Sequence, residues 1–550
     1  MKFYYFIILG FLVHFGVGDL IVEIPDGKIR GIPINTPSGR TFYAWKRIPF
    51  AKPPLKDLRF LAPQLPDPWD DILDGTEDAP ACLFAVSYDG DPTPTNGNSE
   101  DCLYINVYTP FDVSKNASTN LTVMFWIYGG GFVSGSGDFS FTDPTPLLEE
   151  DVVVVTFNYR LSAFGFLSTK DEIIPGNAGL KDQLLALKWT KRNIIYFGGN
   201  PDDLTVFGES AGAMSSGYHI VSPKSRNLFK AVIMQSGNPL TNYFTIDDPK
   251  KIAYDLAKVI DSSITESNTS EEVRSVLQQA PADLVLNVTI DSGYALRPIL
   301  EEHSEEAFLT QPMYEVVEKG DIARVPIIIG HNSEETCSYV TDLESGQTIA
   351  NYYQTNPQLL VPNMPLRHGT DPIQIGKEII EEYTGVSGSF ESNLAAFFNW
   401  WSDDQFVRSV YKHAILQSNY TPVYMYQFSF YGTRSKNHVK IPGAGKVGHA
   451  DDVGYIFNIS VSPLQTDADF LARKRMVKLW TNFAKTLNPT PGDASSDLLQ
   501  NVTWEVTTSD NVQFLDIGDD LVMKPSRKIE ETKFWDSVWD RYSYRPYYTM

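Results

Sequence analysis

Short apolar runs recur along the chain, and segments with the period of a helix lie between them. A strand that is buried on both faces is apolar at nearly every position, whereas a half-buried strand alternates. The runs that we predict to be strands are 121–128, 152–159, 204–207, 231–235, 325–329 and a β-rich run at 422–431. Strands that alternate with helices in this way predict an α/β fold with a large, mostly parallel central sheet and helices on both faces.

Two stretches carry a clear helical repeat. Leucines three and four positions apart predict a helix from about 178 to 197, and apolar residues from Phe470 to Phe483 predict another near the C-terminus. The segments 241–300 and 338–403 have no regular strand pattern. We predict that these insertions form walls around a site at the C-terminal ends of the strands, where α/β proteins place their sites.

The N-terminus has the pattern of a secretory signal. Lys2 is followed by an almost wholly apolar run from Phe3 to Val13, and small residues precede a cleavage point after Gly18. That run is too short to cross a bilayer, and no later run reaches about 20 apolar residues. We therefore predict a signal peptide at 1–18, no membrane span, and a secreted chain. Residues 19–550 are predicted to form one domain, because no Gly/Ser-rich, Pro-rich or single-charge linker divides them.

Glycosylation signals fit an exported chain. An Asn-x-Ser/Thr sequon without proline marks an acceptor for N-linked glycans in secreted proteins. Seven such asparagines are present, namely Asn116, Asn120, Asn268, Asn287, Asn419, Asn458 and Asn501. We predict that they lie on the surface of an extracellular glycoprotein.

The formal net charge is −23, and it becomes −24 when a signal peptide containing Lys2 is removed, leaving 44 basic and 68 acidic residues. An acidic chain of this kind is not expected to bind nucleic acid or an anionic membrane surface. The charge favours solubility and could attract a cationic ligand, but it selects no substrate.

The chain has three cysteines. Cys82 and Cys102 enclose a loop of about 20 residues, and a disulfide between them could stabilise the fold by about 3 kcal/mol in the chain-entropy model. Cys337 would then be left over. We interpret it as a buried, inert thiol, because free cysteine is most often a small core residue.

The strongest chemical signal is Gly208-Glu209-Ser210-Ala211-Gly212, which follows the apolar run 204–207 and precedes a proline-free helical segment. A serine between two glycines at a strand-to-helix junction forms a nucleophile elbow. The turn is so tight that bulky neighbours would clash, and it holds the hydroxyl out at the end of the strand. Ser210 is therefore the candidate nucleophile.

A serine hydroxyl needs a base to accept its proton, and the base needs a carboxylate to hold its tautomer. Among eight histidines, His449 stands out because it lies in a glycine-rich loop after a predicted strand. Glu334 and Glu335 both follow the predicted strand 325–329, so either could be the acid. The order serine, acid, histidine is that of the α/β hydrolases rather than of chymotrypsin or subtilisin.

The oxyanion of a tetrahedral intermediate requires backbone N–H donors that are already in place. The glycines 129–131 follow the predicted strand 121–128, and successive glycines let N–H groups turn toward one point. Ala211, which follows the candidate nucleophile, offers a further N–H at a helix N-terminus. Together these residues predict ester hydrolysis through an acyl-enzyme, which requires neither a metal nor an organic cofactor.

Two long motifs, 197–212 around the serine and 100–110 upstream, resemble those of the type-B carboxylesterases, the family that includes the cholinesterases. Shorter matches lie at 158–160, 165–167, 176–177, 179–180, 182–183 and 235–237. The resemblance covers nearly the whole mature chain and is greatest to carboxylesterases of the arthropod type. It implies an α/β-hydrolase fold and a small-molecule ester substrate.

Carried over residue by residue, the resemblance selects Glu335 as the acid and His449 as the base. It implies that Gly130, Gly131 and Ala211 donate to the oxyanion, and that Cys82 pairs with Cys102. This chain departs from the family at Thr336, where a glycine is usual. Tyr128 precedes the glycines as in cholinesterases, whereas many carboxylesterases have histidine there.

Three alternatives to a general carboxylesterase follow from the same resemblance. The choline site of cholinesterases uses a tryptophan between the first two cysteines, and 83–101 contains none. Juvenile hormone esterases usually have glutamine where Glu209 stands here, yet a specialised hormone or pheromone esterase remains an alternative. The third is a catalytically silent adhesion or binding protein of this fold, but such proteins typically lose a member of the triad and carry a membrane span.

Overall fold

The computed structural model describes residues 20–36, 39–84, 93–113, 119–243, 248–435, 439–459, 463–492, 497–526 and 528–549. The predicted signal peptide 1–18 and the sequon at Asn116 lie outside these described residues.

The strands form one large sheet and two small ones. In chain order they are β1 (Ile21–Ile24), β2 (Gly27–Arg30), β3 (Ile32–Asn35), β4 (Thr41–Pro49), β5 (Ile72–Asp74), β6 (Ala81–Cys82), β7 (Asn98–Ser99), β8 (Tyr104–Thr109), β9 (Leu121–Ile127), β10 (Val153–Phe157), β11 (Gly199–Glu209), β12 (Ala231–Gln235), β13 (Ile327–Asn332), β14 (Val423–Phe428), β15 (Gln513–Ile517) and β16 (Leu521–Pro525).

The large sheet has 11 strands in the order β16-β15-β14-β13-β12-β11-β9-β10-β8-β4-β3. Every neighbouring pair from β10 to β15 is parallel. The pairs at both edges are antiparallel. The predicted mostly parallel core is therefore present within a mixed sheet. The central strands were predicted from long apolar runs, and the antiparallel edge strands lack such runs.

The helices cover both sides of the sheet. They are α1 (Thr145–Leu148), α2 (Ser162–Phe166), α3 (Ala178–Asn193), α4 (Ala211–Val221), α5 (Pro249–Ile260), α6 (Ser270–Gln279), α7 (Ala282–Ser292), α8 (Met313–Glu318), α9 (Leu343–Thr355), α10 (Pro372–Thr384), α11 (Leu394–Ser402), α12 (Arg408–Gln417), α13 (Asp467–Thr486) and α14 (Ile529–Tyr542). The fold is that of an α/β hydrolase.

The two predicted insertions are helical. The described residues of 241–300 contain α5 to α7, and 338–403 contains α9 to α11, with no strand of any sheet in either segment. The helix predicted from 178 to 197 is α3 followed by a 3-10 turn, Ile194–Phe197, which ends at Gly198 with a φ of 81°. Gly198 ends the helical segment because this left-handed conformation costs glycine little.

One residue predicted to lie on the apolar face of the second helix does not lie there. Met476, Leu479 and Phe483 of α13 are fully buried, but Phe470 is 46% exposed. Phe470 precedes Met476 by six positions, which is about 240° around a helix of 3.6 residues per turn. It therefore lies on the solvent face and does not share the apolar stripe.

The cysteines pair as predicted. Cys82 and Cys102 form a disulfide bond, and Cys337 is a free, fully buried cysteine. Burial raises the pKa of the Cys337 thiol, and the carboxylates of Glu334 and Asp451 act in the same direction. A thiol held in its neutral form is a poor nucleophile, which agrees with the inert role predicted for it.

Candidate active site

Ser210 occupies the turn between the C-terminal end of β11 and the start of α4. Its φ of 55° and ψ of −124° lie outside the regions that residues with side chains normally adopt. A Cβ at Gly208 would come within 2.5 Å of the Gly212 backbone, and one at Gly212 would meet the carbonyl oxygen of Ile127. Both glycines are thus required by the close approach of backbone segments, as the elbow motif predicts.

The neighbouring strand fixes this turn from the other side. The Ser210 N–H donates to the carbonyl of Gln235, the last residue of β12, at 2.8 Å. A Cβ at Gly237 would lie 2.5 Å from the Ser210 carbonyl oxygen. The backbone of the elbow is therefore held in place independently of the serine side chain.

His449 is held by Glu335 through two contacts. The imidazole Nδ1 is 2.7 Å from Glu335 Oε2, and the His449 N–H donates to the Glu335 carbonyl at 2.9 Å. Glu335 follows β13, and its other carboxylate oxygen, Oε1, accepts hydrogen bonds of 2.6 Å from the Ser236 hydroxyl and the Asn332 N–H. The carboxylate is fully buried and accepts from three groups.

The pKa values of this pair move in the directions that favour an ion pair. Burial alone would raise the pKa of Glu335, but the hydrogen bond and charge of His449, with the Ser236 and Asn332 donors, hold it below its usual value. Burial alone would lower the pKa of His449, but Glu209 and Glu335 raise it above its usual value. Protonated His449 is thus stabilised between two carboxylates.

Glu209, the residue before Ser210, faces the other imidazole nitrogen. Its Oε1 atom is 3.2 Å from His449 Nε2. Among the described residues no hydrogen bond joins the Ser210 hydroxyl to the imidazole, so Nε2 is directed at Glu209 in this structure. The structure therefore brings His449, Glu335 and the elbow together, with Glu209 as an additional partner of the base.

Glu334, the alternative acid, is directed elsewhere. One of its oxygens accepts from the Ser402 hydroxyl at 2.6 Å, and the other accepts from the Gly445 N–H at 3.1 Å. Burial raises its pKa. Glu334 thus ties the loop that carries His449 to α11, and it is Glu335 that contacts the imidazole.

Thr336 occupies the position at which the family usually has glycine. Its side chain is fully buried, and its hydroxyl lies 3.0 Å from the Ser402 hydroxyl. The Thr336 N–H also donates to that hydroxyl, at 3.2 Å. Since these bonds satisfy the buried threonine, the side chain is accommodated without displacing Glu335.

The triple glycine lies beside the serine. A Cβ at Gly129 would be 2.7 Å from the Glu209 carbonyl oxygen and 3.0 Å from Ser210 Cβ. Gly130 and Gly131 have φ values of 95° and 63°, which L side chains rarely adopt. Ala211 is fully buried at the first position of α4. Gly129 therefore packs against the elbow, and Gly130 and Gly131 follow it in conformations that favour glycine. The role of Gly130, Gly131 and Ala211 as oxyanion donors stays a prediction.

Three residues near His449 and Glu335 were not predicted from the sequence to belong to the site. Ser236, which orients Glu335, belongs to the matched motif 235–237 and could have been found from it. Asp452, three residues after His449, is fully buried and accepts from Tyr426 at 2.8 Å and from a glutamine at 2.9 Å. Burial and the nearby Glu335 raise its pKa. Phe406 stacks on the imidazole, with 4.3 Å between the ring centroids.

In the described ranges no three His, Cys, Asp or Glu side chains are grouped so that they could hold a metal ion. No helix within those ranges has the length and apolar character needed to span a membrane.

The described sequons lie at or near the surface. Asn120, Asn287, Asn419, Asn458 and Asn501 are exposed, and Asn268 is half-buried. These positions leave room for glycans, but attachment stays a prediction.

A strained serine elbow at the C-terminal edge of a mostly parallel sheet, with a histidine–carboxylate pair beside it, defines the class of α/β hydrolases. The family model described as the carboxylesterase family matches residues 18–535. The chain belongs to the carboxylesterase family, and it is a carboxylic ester hydrolase.

Individual relatives agree with this assignment. The chain is 32% identical to juvenile hormone esterase of Tribolium castaneum, over 92% of this chain and 88% of the relative. It is 31% identical to a carboxylic ester hydrolase of Bombus ignitus, over 94% of both chains. The crystal structure of juvenile hormone esterase from Manduca sexta with OTFP covalently attached superposes with a TM-score of 0.82 at 29% identity, over 95% of this chain and 100% of that chain.

Proposed function

We propose that this protein is a secreted serine esterase in which Ser210 is the nucleophile, His449 the base and Glu335 the residue that orients the base. The observation that carries the proposal is the 2.7 Å contact between His449 Nδ1 and Glu335 Oε2 beside the strained Ser210 turn. Because Nδ1–H is donated to Glu335, neutral His449 has its lone pair on Nε2. That nitrogen is the one that can accept the serine proton.

The contact between Nε2 and Glu209 suits the protonated imidazole. When His449 is neutral, its Nε2 lone pair gains nothing from a carboxylate, so the Ser210 hydroxyl becomes the better partner. In this proposal the imidazole keeps its Nδ1 contact and shifts so that Nε2 leaves Glu209 and meets Ser210 Oγ. Ser210 Oγ then attacks the ester carbonyl while its proton passes to Nε2, and the imidazolium returns that proton to the departing alcohol.

The acyl-enzyme is cleared by the same groups. Water attacks the acyl carbonyl with His449 as base, the acid is released, and Ser210 recovers its proton. In both steps the carbonyl oxygen becomes an oxyanion, which the N–H groups of Gly130, Gly131 and Ala211 stabilise. Removing one such donor typically costs about 3 to 4 kcal/mol of transition-state stabilisation.

A paired serine substitution tests the assignment. Ser210→Ala is expected to abolish turnover of naphthyl acetate. Ser216→Ala is the matched control, because Ser216 is a buried serine of α4, the helix that follows Ser210, and its hydroxyl donates to the Gly212 carbonyl at 2.8 Å. The control should retain near-native kcat. Full activity in Ser210→Ala would exclude Ser210 as the nucleophile.

Secretion is part of the proposal. The apolar segment 1–18 supports removal of a signal peptide, and five exposed sequons and a disulfide suit an oxidising, extracellular environment. On this proposal residues 19–550 act as one domain. The protein expressed in insect cells should be recovered from the medium with Asp19 at its N-terminus and should lose mass on treatment with an endoglycosidase. Retention inside the cells with residues 1–18 attached would contradict the proposal.

The substrate is proposed to be a small-molecule carboxylic ester, with general carboxylesterase activity. A hormone esterase is the second candidate, because juvenile hormone esterases are among the relatives in both sequence and structure. Rates on naphthyl acetate, acetylthiocholine and a juvenile hormone distinguish the possibilities. A kcat/KM for the hormone that exceeds the other two by orders of magnitude would replace the general assignment by the specialised one.

A further inference from the structure

Phe406 lies in an unusual piece of backbone. Helices α11 and α12 are joined without a loop by a π-helical turn, Asp403–Val407. Such turns insert one residue per turn into a helix, and they occur frequently at functional sites. The turn directs the Phe406 ring against His449, with 4.3 Å between ring centroids and an interplanar angle of 20°. The phenylalanine is 3% exposed, so the contact is part of the packed interior.

The turn is anchored by distant parts of the chain. The carboxylate of Asp403 binds the Lys528 ammonium at 2.8 Å and accepts from the Tyr383 hydroxyl at 2.8 Å. Arg408, directly after the turn, pairs with Asp404 at 3.2 Å. Asp403 thus ties the turn to Tyr383 of α10 and to Lys528, and the Asp404–Arg408 pair braces the turn itself, so the Phe406 ring has a fixed position against the imidazole.

We propose that Phe406 is a positioning residue that confines the imidazole of His449 to the plane in which it works. This inference rests on the proposed function of His449 as the base. The single hydrogen bond at Nδ1 sets the direction of the ring but leaves it free to tilt about that bond. A parallel aromatic face prevents the tilt and leaves movement within the plane of the imidazole free.

The stack also acts on the charge of the base. The charged groups that face the imidazole are the carboxylates of Glu335 and Glu209, with the carboxyl of Asp452 nearby. The edge of the Tyr339 ring, 6.0 Å away at 71°, is uncharged. A phenyl face attracts a cation, so Phe406 adds to the stabilisation of the imidazolium that these carboxylates provide.

Two substitutions of Phe406 and one control test the proposal. Phe406→Leu keeps an apolar side chain but removes the aromatic face, and Phe406→Tyr keeps the face. Phe390→Leu is the control, because Phe390 is fully buried and packs on Phe397 of α11, the helix before the π-helical turn, with 5.5 Å between ring centroids. Naphthyl acetate is the substrate, and thermal unfolding shows whether each variant is folded.

His449 is the base in both acylation and deacylation, so a change in its position should slow both steps. In Phe406→Leu the acylation and deacylation rate constants should fall together, by about ten- to a hundred-fold, as expected for a misplaced catalytic group. The acidic limb of kcat/KM should move to lower pH, because the imidazolium loses the attraction of the phenyl face. Phe406→Tyr should restore most of the rate and the native pH profile, and the folded control Phe390→Leu should keep both.

Three outcomes would overturn the proposal. The first is a raised KM for Phe406→Leu with native kcat and pH profile, which would make Phe406 only a wall of the substrate pocket. The second is an equal loss of kcat in folded Phe390→Leu, which would make the effect a general one. The third is a Phe406→Tyr variant as impaired as Phe406→Leu. Activity in Ser210→Ala would instead contradict the proposed function, so that outcome is distinguished from a failure of the Phe406 proposal.

Discussion

Replacing Glu335 by glutamine should inactivate the enzyme through the tautomer of His449. In the structure Glu335 Oε1 accepts from Ser236 and from the Asn332 N–H, both at 2.6 Å. A glutamine must place its carbonyl oxygen there, since its NH₂ group would face two donors. The NH₂ group then points at His449 Nδ1, which becomes the acceptor. The remaining proton moves to Nε2, the atom that must accept the proton of Ser210.

The size of the effect can be estimated from this reversal. In a serine protease the equivalent carboxylate-to-amide change leaves the geometry intact and lowers kcat by about 10⁴-fold because the tautomer is wrong. A factor of 10⁴ corresponds to about 5.5 kcal/mol of activation free energy. The two donors to Oε1 remain bonded in Glu335→Gln, so the loss should appear in kcat far more than in unfolding.

The assay is kcat/KM on naphthyl acetate, with Glu334→Gln as the matched control. Glu334 is the adjacent buried carboxyl, but it binds Ser402 and Gly445 and has no bond to the imidazole. The control is expected to stay within about ten-fold of the native rate, because it leaves the tautomer unchanged. A Glu335→Gln enzyme within ten-fold of native, or two equally inactive variants, would refute the reasoning.

Three further predictions follow. Glu209 raises the pKa of His449, and the base must be neutral to accept a proton, so Glu209→Gln should move the acidic limb of the kcat/KM profile to lower pH. Glu23→Gln, at an exposed position, is the control and should leave the profile unchanged. An acidic limb of Glu209→Gln that stays in place or moves to higher pH would contradict the prediction. Replacing both Cys82 and Cys102 by serine should lower the free energy of unfolding by about 3 kcal/mol in denaturant titration, and an unchanged midpoint would count against it. Gly212→Ala should prevent folding to an active enzyme, because its Cβ would overlap the backbone of β9; a soluble, active variant would disprove the close approach.

The central strands and the serine elbow were predictable because local patterns encode them. Strand β12 has the predicted bounds, 231–235, since a strand buried on both faces must be apolar throughout. The elbow was predictable because its geometry requires glycine two positions before and two positions after Ser210, at Gly208 and Gly212. In such cases one segment of chain determines the structure, so the sequence signal is strong.

The carboxylate partner of His449 was not predictable from spacing. Glu334 and Glu335 both follow β13, and only the family resemblance separated them. What orients them lies far away in the chain: Ser236 donates to Glu335, and Ser402 donates to Glu334. A local pattern carries no information on such long-range hydrogen bonds.

Phe406 had no sequence signal for the same reason. Its position depends on a π-helical turn whose Asp403 is held by Lys528, 125 residues further along the chain. Turns of this kind are rare within α-helices, and this one is held by a contact that is distant in sequence. The stacking partner of the base could therefore be found only from the folded chain.

The most direct test of the central claim is to locate the covalent adduct. The purified protein is inactivated with an organophosphate ester, digested, and mapped by mass spectrometry. Formation of an acyl-enzyme at Ser210 predicts one adduct per chain, on the peptide that contains Ser210, and none on Ser210→Ala. Complete inactivation with the adduct on another residue, or with an unmodified Ser210 peptide, would contradict the account.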